Sequence, residues 1–331
     1  MTEIVNNVKL FNNGLPQNFG WALGGVVEYN VEDAKLRPFA LKEWNFYQIS
    51  SPEFCMQITL GHVSYATSIN VSVIEFMSGK RLSLGKMLPF KKVELDKNAD
   101  QDSKITYKDK DLEVLFKTTK NFRQIKVVGF DKEHGRIDID ITMLQNPYKV
   151  LVLTPFERED EFYLNEKLNC MATVGFAKIG NLSYNFDENK TYGLLDWGRG
   201  VLPKKHEWIW SSLSDKVNGK PFGFNLGIFG KDDFGTENIL YYGEKKQKLG
   251  KVKIEFDKTN YMNAWHFVDE EGMLDIYMQP TFDNYTTTKV LFVNNSCHQV
   301  FGKWHGKVVI EGEEMEISDL FGFAENAINC W

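Results

Sequence analysis

Residues 136–141 read RIDIDI and alternate charged and apolar side chains without interruption. Because successive side chains of a strand point to opposite faces, this period of two predicts a half-buried antiparallel strand. Residues 69–73 (INVSV) and 251–256 (KVKIEF) have the same pattern, and turn signals such as Asn218-Gly219 separate runs of this kind. The alternation therefore predicts an all-β chain.

Length and an internal similarity both favour two domains. The chain has 331 residues, which is long enough for two domains. The pair His134-Gly135 is followed by a basic residue and then by aliphatic residues, and the pair His305-Gly306, half a chain later, is followed by the same kinds of residue. We place the domains at residues 1–165 and 166–331. Helical periodicity is rare, so few short helices are expected; the best candidate is the segment 318–328.

Composition argues against several classes of protein. The net charge of −6 is mild and spread along the chain, which argues against a nucleic-acid partner. Four cysteines without a CxxC pair, and no HExxH pattern, predict reduced thiols and no metal site. No GxGxxG, P-loop or GxSxG pattern is present, so no cofactor is expected. The sequence has no signal peptide and no apolar run long enough for a membrane span, which predicts a cytoplasmic protein of open oligomeric state.

The richest stretch for chemistry is residues 193–210, GLLDWGRGVLPKKHEWIW. Arg199 lies between two glycines, which predicts a sharp turn that directs its guanidinium at a carboxylate or a ligand. Asp196 precedes this turn. One apolar residue separates Trp208 from Trp210, so both indoles are expected on one face of a strand. The stretch is typical either of an aromatic pocket with a charged floor or of a buried structural support.

Several segments carry a resemblance to a known family. They are residues 195–200 with Pro203 and 208–210, residues 165–169, 225–227 with 236–238, 298–302, and 322–325 with the chain end through Trp331. Together they resemble an uncharacterised bacterial family, domain of unknown function 2804. More distantly, the chain is similar to a two-domain lipocalin-like superfamily that includes carotenoid hydratases and tocopherol cyclases. The resemblance implies two tandem antiparallel lipocalin-like barrel or sandwich domains.

The superfamily resemblance also implies a site. There, an aspartate on a Trp-rich strand near mid-chain and a late glutamate beside an aromatic approach a cavity between the domains. Asp196 and Glu325 match these positions, and with Arg199 they are the expected catalytic residues. The expected substrate-binding residues are Trp197, Trp208, Trp210, Asn225, Glu237, Trp265, His298 and Gln299.

We consider three functions for this site. The first is a cofactor-free lyase or hydratase, in which a buried carboxylate donates a proton to an apolar small molecule and Trp197, Trp210 and Trp265 stabilise the cation. The second is a non-catalytic lipocalin-like binding protein. The third is a glycan-active hydrolase that uses Asp196 and Glu325 as its carboxylate pair. A purely structural pairing of Asp196 or Glu325 with Arg199 is the alternative to all three.

Overall fold

The computed structural model describes residues 1–231, 233–290 and 293–330. Of the chain, 66% is in strands, and the described residues contain no α-helix, only a 3₁₀ turn at Val31–Asp33. Trp331, the end of the last family segment, lies outside the described residues. The architecture consists of two curled antiparallel half-barrel sheets, as the alternation and the resemblance predict.

The first sheet has 13 strands. They are β4 (Gly20–Ala22), β6 (Leu41–Ser50), β7 (Phe54–His62), β8 (Ala66–Glu75), β9 (Arg81–Pro89), β10 (Ser103–Lys108), β11 (Leu112–Thr118), β12 (Phe122–Asp131), β13 (Gly135–Leu144), β14 (Lys149–Pro155), β15 (Phe162–Ile179), β16 (Leu182–Phe186) and β17 (Tyr192–Val201). The main path runs β10-β11-β12-β13-β15-β17-β6-β7-β8-β9. Two small pairs flank it: β1 (Val8–Lys9) lies parallel to β5 (Val27–Glu28), and β2 (Phe11–Asn12) pairs with β3 (Leu15–Pro16).

The second sheet has nine strands in the order β21-β20-β19-β18-β26-β25-β24-β23-β22. They are β18 (Lys205–Val217), β19 (Lys220–Ile228), β20 (Ile239–Tyr242), β21 (Lys245–Lys248), β22 (Val252–Glu255), β23 (Trp265–Asp269), β24 (Leu274–Val290), β25 (Val293–Ile310) and β26 (Glu313–Cys330). The chain changes sheets between Val201 and Lys205, whereas the sequence-based boundary between residues 165 and 166 falls inside β15. We therefore propose residues 202–204 as the division, which places the 195–200 motif on the first sheet.

Each sheet curls around its own apolar core, and a third set of apolar side chains joins the two. Ile137, Ile139 and Ile141 of the RIDIDI segment are buried in the first core, as the alternation predicts. The joining set includes Leu194 of the first sheet and Trp210 of the second. The faces of β17 and β18 that carry these residues therefore meet at a seam between the sheets.

Two expectations from the sequence are wrong. The segment 318–328 is not a helix but part of β26, because it pairs on one side with β18 and on the other with β25. The two His-Gly pairs do not occupy equivalent positions. Gly135 begins β13 at a hairpin, whereas Gly306 lies at an irregularity inside β25.

Candidate functional site

The 195–200 motif is an uninterrupted, buried piece of β17 rather than a turn. Gly198 is required for a different reason: a Cβ atom there would lie 2.2 Å from Cε2 of the Trp44 indole. Gly198 therefore leaves room for the Trp44 ring against β17. This position requires glycine because the ring approaches the backbone closely, not because of a special backbone angle.

Strand alternation separates the two charged residues of the motif. Asp196 and Leu194 share the face that meets the second sheet, since Leu194 packs in the joining cluster. Trp197 belongs to the first apolar core, and the Arg199 guanidinium lies over its ring at 4.0 Å from the centroid. Arg199 and Asp196 therefore lie on opposite faces of β17 and do not pair.

Arg199 is fully enclosed by the first sheet. It forms a 2.8 Å ion pair with Asp96 and lies 3.7 Å from a carboxylate oxygen of Glu43. Its guanidinium also donates to the Trp44 carbonyl at 2.7 Å and to Oδ1 of Asn45 at 3.0 Å. The expected position of Arg199 beside Asp196 and Glu325 is therefore not observed, because its partners anchor the segment around Asp96 inside the first core.

Lys167 takes the place beside Asp196 that the sequence analysis gave to Arg199. It is directly opposite Asp196 in the β15–β17 register, and its ammonium lies 3.0 Å from Oδ1 of Asp196. The same ammonium is 3.8 Å from Oε2 of Glu237 and 3.8 Å from the ring centroid of Trp210. One buried cation thus joins two carboxylates and an indole from both sheets.

Asp196 has further partners on the first sheet. Trp44 donates its indole N–H to Oδ2 of Asp196 at 3.0 Å, and Asn165 donates its amide to Oδ1. An ion pair reinforced by neutral donors fixes a buried carboxylate in one position. Asp196 is therefore fixed at the seam by one ion pair and two hydrogen bonds.

Glu325 lies on β26 with its carboxylate in the same seam. Trp208 donates its indole N–H to Oε1 at 2.8 Å, and Gln299 donates its amide to Oε2 at 3.2 Å. Burial raises the pKa of Glu325 to about 7, and the negative charge of Asp196 acts in the same direction, while Trp208, Lys167 and Gln299 lower it. Near neutral pH, part of the Glu325 population therefore keeps its proton, next to an ion-paired Asp196. We call Asp196, Lys167, Glu237 and Glu325 the seam cluster.

The structure brings five of the eight expected substrate-binding residues to the seam cluster. They are Trp208, Trp210, Asn225, Glu237 and Gln299. Asn225 accepts the indole N–H of Trp210 at 2.7 Å and donates to the Glu237 carbonyl at 3.0 Å, so it fixes the relative positions of these two residues.

The other three lie elsewhere. Trp197 contacts Arg199 in the first core, and Trp265 is buried in the second core. His298 alternates with Gln299 on β25 and lies on the opposite face, where it contacts Asp283 at 2.8 Å and stacks on Tyr261 at 3.7 Å. Of the three indoles expected to stabilise a cation, only Trp210 is at the seam cluster, and one of its faces is in contact with Lys167.

Sequence reasoning missed four residues of the site: Trp44, Tyr163, Asn165 and Lys167. Tyr163 stacks on Trp44 with centroids 5.7 Å apart, and burial together with the charges of Asp196 and Glu237 raises its pKa well above 10. Asn165 and Lys167 had a detectable signal, because polar residues two apart in an apolar strand share one face.

A small cavity adjoins the seam cluster. It is lined by Val152, Tyr163, Gly227, Phe229, Gly235, Thr236 and Glu237. The centre of a water molecule has about 10 Å³ available in this cavity, which is close to the space that one water molecule needs. Within the described residues, no group of three or more His, Cys, Asp or Glu side chains has the geometry to hold a metal ion. Nor do they include a helix with the length and apolarity to cross a membrane.

The site thus defines an all-β protein with a buried polar cluster between two half-barrels. The chain belongs to the family described as Domain of unknown function (DUF2804), whose model matches residues 1–331. No curated protein matches the sequence.

Solved structures share the fold. The chain is similar to kievitone hydratase from Nectria haematococca, with 10% identity and a TM-score of 0.52 over 98% of this chain and 96% of that chain. It is also similar to CghA with Sch210972, with 8% identity and a TM-score of 0.53 over 90% of each chain. At these identities the likeness shows the fold alone, and it confirms the two-domain lipocalin-like architecture that the resemblance implies.

Proposed function

We propose that the protein is a cofactor-free acid catalyst of the hydratase or lyase type, acting on an apolar or partly apolar small molecule at the seam. The observation that supports this most strongly is the different surroundings of two carboxylates in one seam. Glu325 has its pKa raised to about 7 by burial, while Asp196 is ion-paired with Lys167 at 3.0 Å. General acid catalysis requires a carboxyl group that still carries its proton at working pH.

In the proposed reaction Glu325 donates its proton to one carbon of an alkene, which leaves a cation on the other carbon. The anionic Asp196 and the electron-rich indoles of Trp44 and Trp208 lower the energy of that cation. Lys167 offsets part of the negative charge of Asp196, and the ion pair fixes this carboxylate at the seam. Asp196 is thus a stabilising anion and Glu325 the acid.

The substrate reaches the cluster only if the side chains over the cavity move, because the cavity has space for about one water. Phe229 lines it and packs edge-on against Tyr163, with centroids 4.9 Å apart, and against Trp208 at 5.7 Å. We propose Phe229 as the side chain that a substrate displaces. A glycan-active hydrolase requires a wide, open cleft, which this small cavity disfavours.

One neighbour in fold, kievitone hydratase, has a name that matches this chemistry. The test is incubation of the protein with alkenes that protonate to tertiary cations, such as geraniol and farnesol, with mass spectrometry for products heavier by one water. We expect the wild type to hydrate at least one, and Glu325→Gln to bind it with turnover reduced by about 100-fold or more. Glu313→Gln, an exposed carboxylate on the same strand, is the matched control.

The binding-protein alternative makes a different prediction for the same experiment. A carrier binds the probe with equal affinity in the wild type and in Glu325→Gln, and neither protein changes it chemically. Binding without any product therefore rejects the catalytic proposal in favour of the carrier.

A further inference from the structure

The small cavity beside the seam cluster is built around one carboxylate. Gly227 on β19 lies against the Glu237 side chain, and a Cβ atom at this glycine would be 2.3 Å from Oε1 of Glu237. Only glycine therefore leaves room for the carboxylate at this place beside the strand. Glu237 also lines the cavity, so its side chain lies between the strand backbone and this space.

Tyr163 lines the same cavity. Burial and the neighbouring carboxylates raise its pKa well above 10, so its hydroxyl keeps its proton and can donate a hydrogen bond. The ammonium of Lys167 lies 3.8 Å from Oε2 of Glu237 and is an ion-pair partner of that carboxylate. A protonated hydroxyl and a carboxylate around a space of this size are the partners that a single buried water requires.

We propose, on the basis of the proposed function, that this cavity binds the water that adds to the substrate and that Glu237 is the base that activates it. After Glu325 has protonated the alkene, the π electron pair has become the new C–H bond and the other carbon is cationic. The water oxygen donates a lone pair to form the C–O bond. Glu237 accepts the proton that this oxygen loses. The product is the alcohol, and proton exchange with solvent returns Glu325 to its acid form and Glu237 to its anion.

This assignment gives the two glutamates separate steps. Glu325 acts before the cation forms, and Glu237 acts after it has formed. Lys167 lies beside Asp196 and Glu237, and its charge lowers the pKa of Glu325. Loss of Glu237 therefore stops water addition but leaves reversible protonation of the alkene intact, whereas loss of Glu325 stops both.

The first test is a high-resolution crystal structure of the wild-type protein without substrate. We expect one ordered water within hydrogen-bonding distance of the Tyr163 hydroxyl and of a Glu237 carboxylate oxygen. A cavity without water, or a water that contacts neither group, overturns the site. Gly227→Ala is expected to displace the Glu237 carboxylate and remove the water.

The second test uses a probe alkene in deuterated water, geraniol or farnesol. For Glu237→Gln we expect hydration to fall by about 100-fold or more while deuterium still enters the recovered alkene. Tyr163→Phe, which keeps the ring, is the second variant if Glu237→Gln does not fold, and its hydration is expected to fall about 10-fold with exchange retained.

The outcomes separate this proposal from the proposed function. Unchanged hydration in Glu237→Gln, or equal loss of hydration and exchange, overturns the base role while the acid role of Glu325 stands. If the wild type hydrates neither probe, the proposed function fails and the base role fails with it. A water found in the crystal then shows only a structural water site.

Discussion

Lys167 and Asp196 face each other across β15 and β17, and their side chains form a buried ion pair of 3.0 Å. The side chain of Lys167 is 5% exposed and that of Asp196 is 11% exposed, so water solvates neither charge effectively. The ammonium also lies 3.8 Å from the Trp210 ring of the second sheet. This one cation therefore links the two half-barrels electrostatically.

Lys167→Met is expected to destabilise the protein by about 3–5 kcal/mol, because it leaves the Asp196 carboxylate buried without its cation. Urea unfolding followed by tryptophan fluorescence measures the change. Lys303→Met is the control, since Lys303 pairs with Asp319 at the surface, and it should cost under about 1 kcal/mol. Equal effects of the two substitutions would show that burial of the Lys167 pair has no energetic consequence.

Gly198→Ala tests the contact between β17 and Trp44. The added methyl group would lie 2.2 Å from the indole, so the ring must shift and lose its hydrogen bond to Asp196. We expect a loss of about 1–3 kcal/mol in the free energy of unfolding. Gly61→Ala on β7 is the matched control, because its Cβ would meet its first neighbour at 3.7 Å. Similar stability of both variants would contradict the packing role of Gly198.

The fold could be predicted because the strands of a half-buried sheet have a recognisable alternating sequence pattern. Alternation such as that of residues 136–141 reports burial on one face, and this local pattern needs no knowledge of partners. The segment 318–328 was misinterpreted because its strand is buried over much of its length and its alternation is weak. Only pairing with β18 and β25, which is set by distant parts of the chain, makes it a strand.

The site could be predicted only in part. Asp196 and Glu325 were identified through the family resemblance, and both are in the seam cluster. Arg199 was misplaced because its glycine neighbours were interpreted as a turn; in a strand, positions three apart lie on opposite faces. Trp44 and Tyr163 left no signal, since their closeness to Asp196 depends on the register of β6, β15 and β17.

Arg199→Met is expected to destabilise the first sheet by about 3–5 kcal/mol, because it leaves Asp96 buried without its cation. Since Arg199 and the seam cluster lie on opposite faces of β17, the titration of Glu325 should not change. Carbon-13 NMR of labelled glutamate measures this titration in the folded variant. If the apparent pKa of Glu325 moves by a full unit in Arg199→Met, the separation of the two networks is wrong.

Glu325 should make the stability of the protein depend on pH in a defined direction. Its pKa is about 4.5 in an unfolded chain and about 7 in the fold, where burial is the main cause of the rise. The folded state therefore binds more protons between these values, so the contribution of Glu325 to stability is fully present below pH 4.5 and is lost as pH rises through 7.

Replacing Glu325 by glutamine removes this dependence, because the amide does not titrate. The difference in free energy of unfolding between Glu325→Gln and the wild type should therefore shift by roughly 3 kcal/mol in favour of the variant between pH 4 and pH 8. Glu166, whose pKa burial raises to about 8 inside the first sheet, titrates in the same direction in both proteins and cancels in the comparison. Urea unfolding at half-unit pH steps gives the two curves. Parallel curves over this range would show that Glu325 is ionised in the fold at neutral pH and would remove it as the general acid.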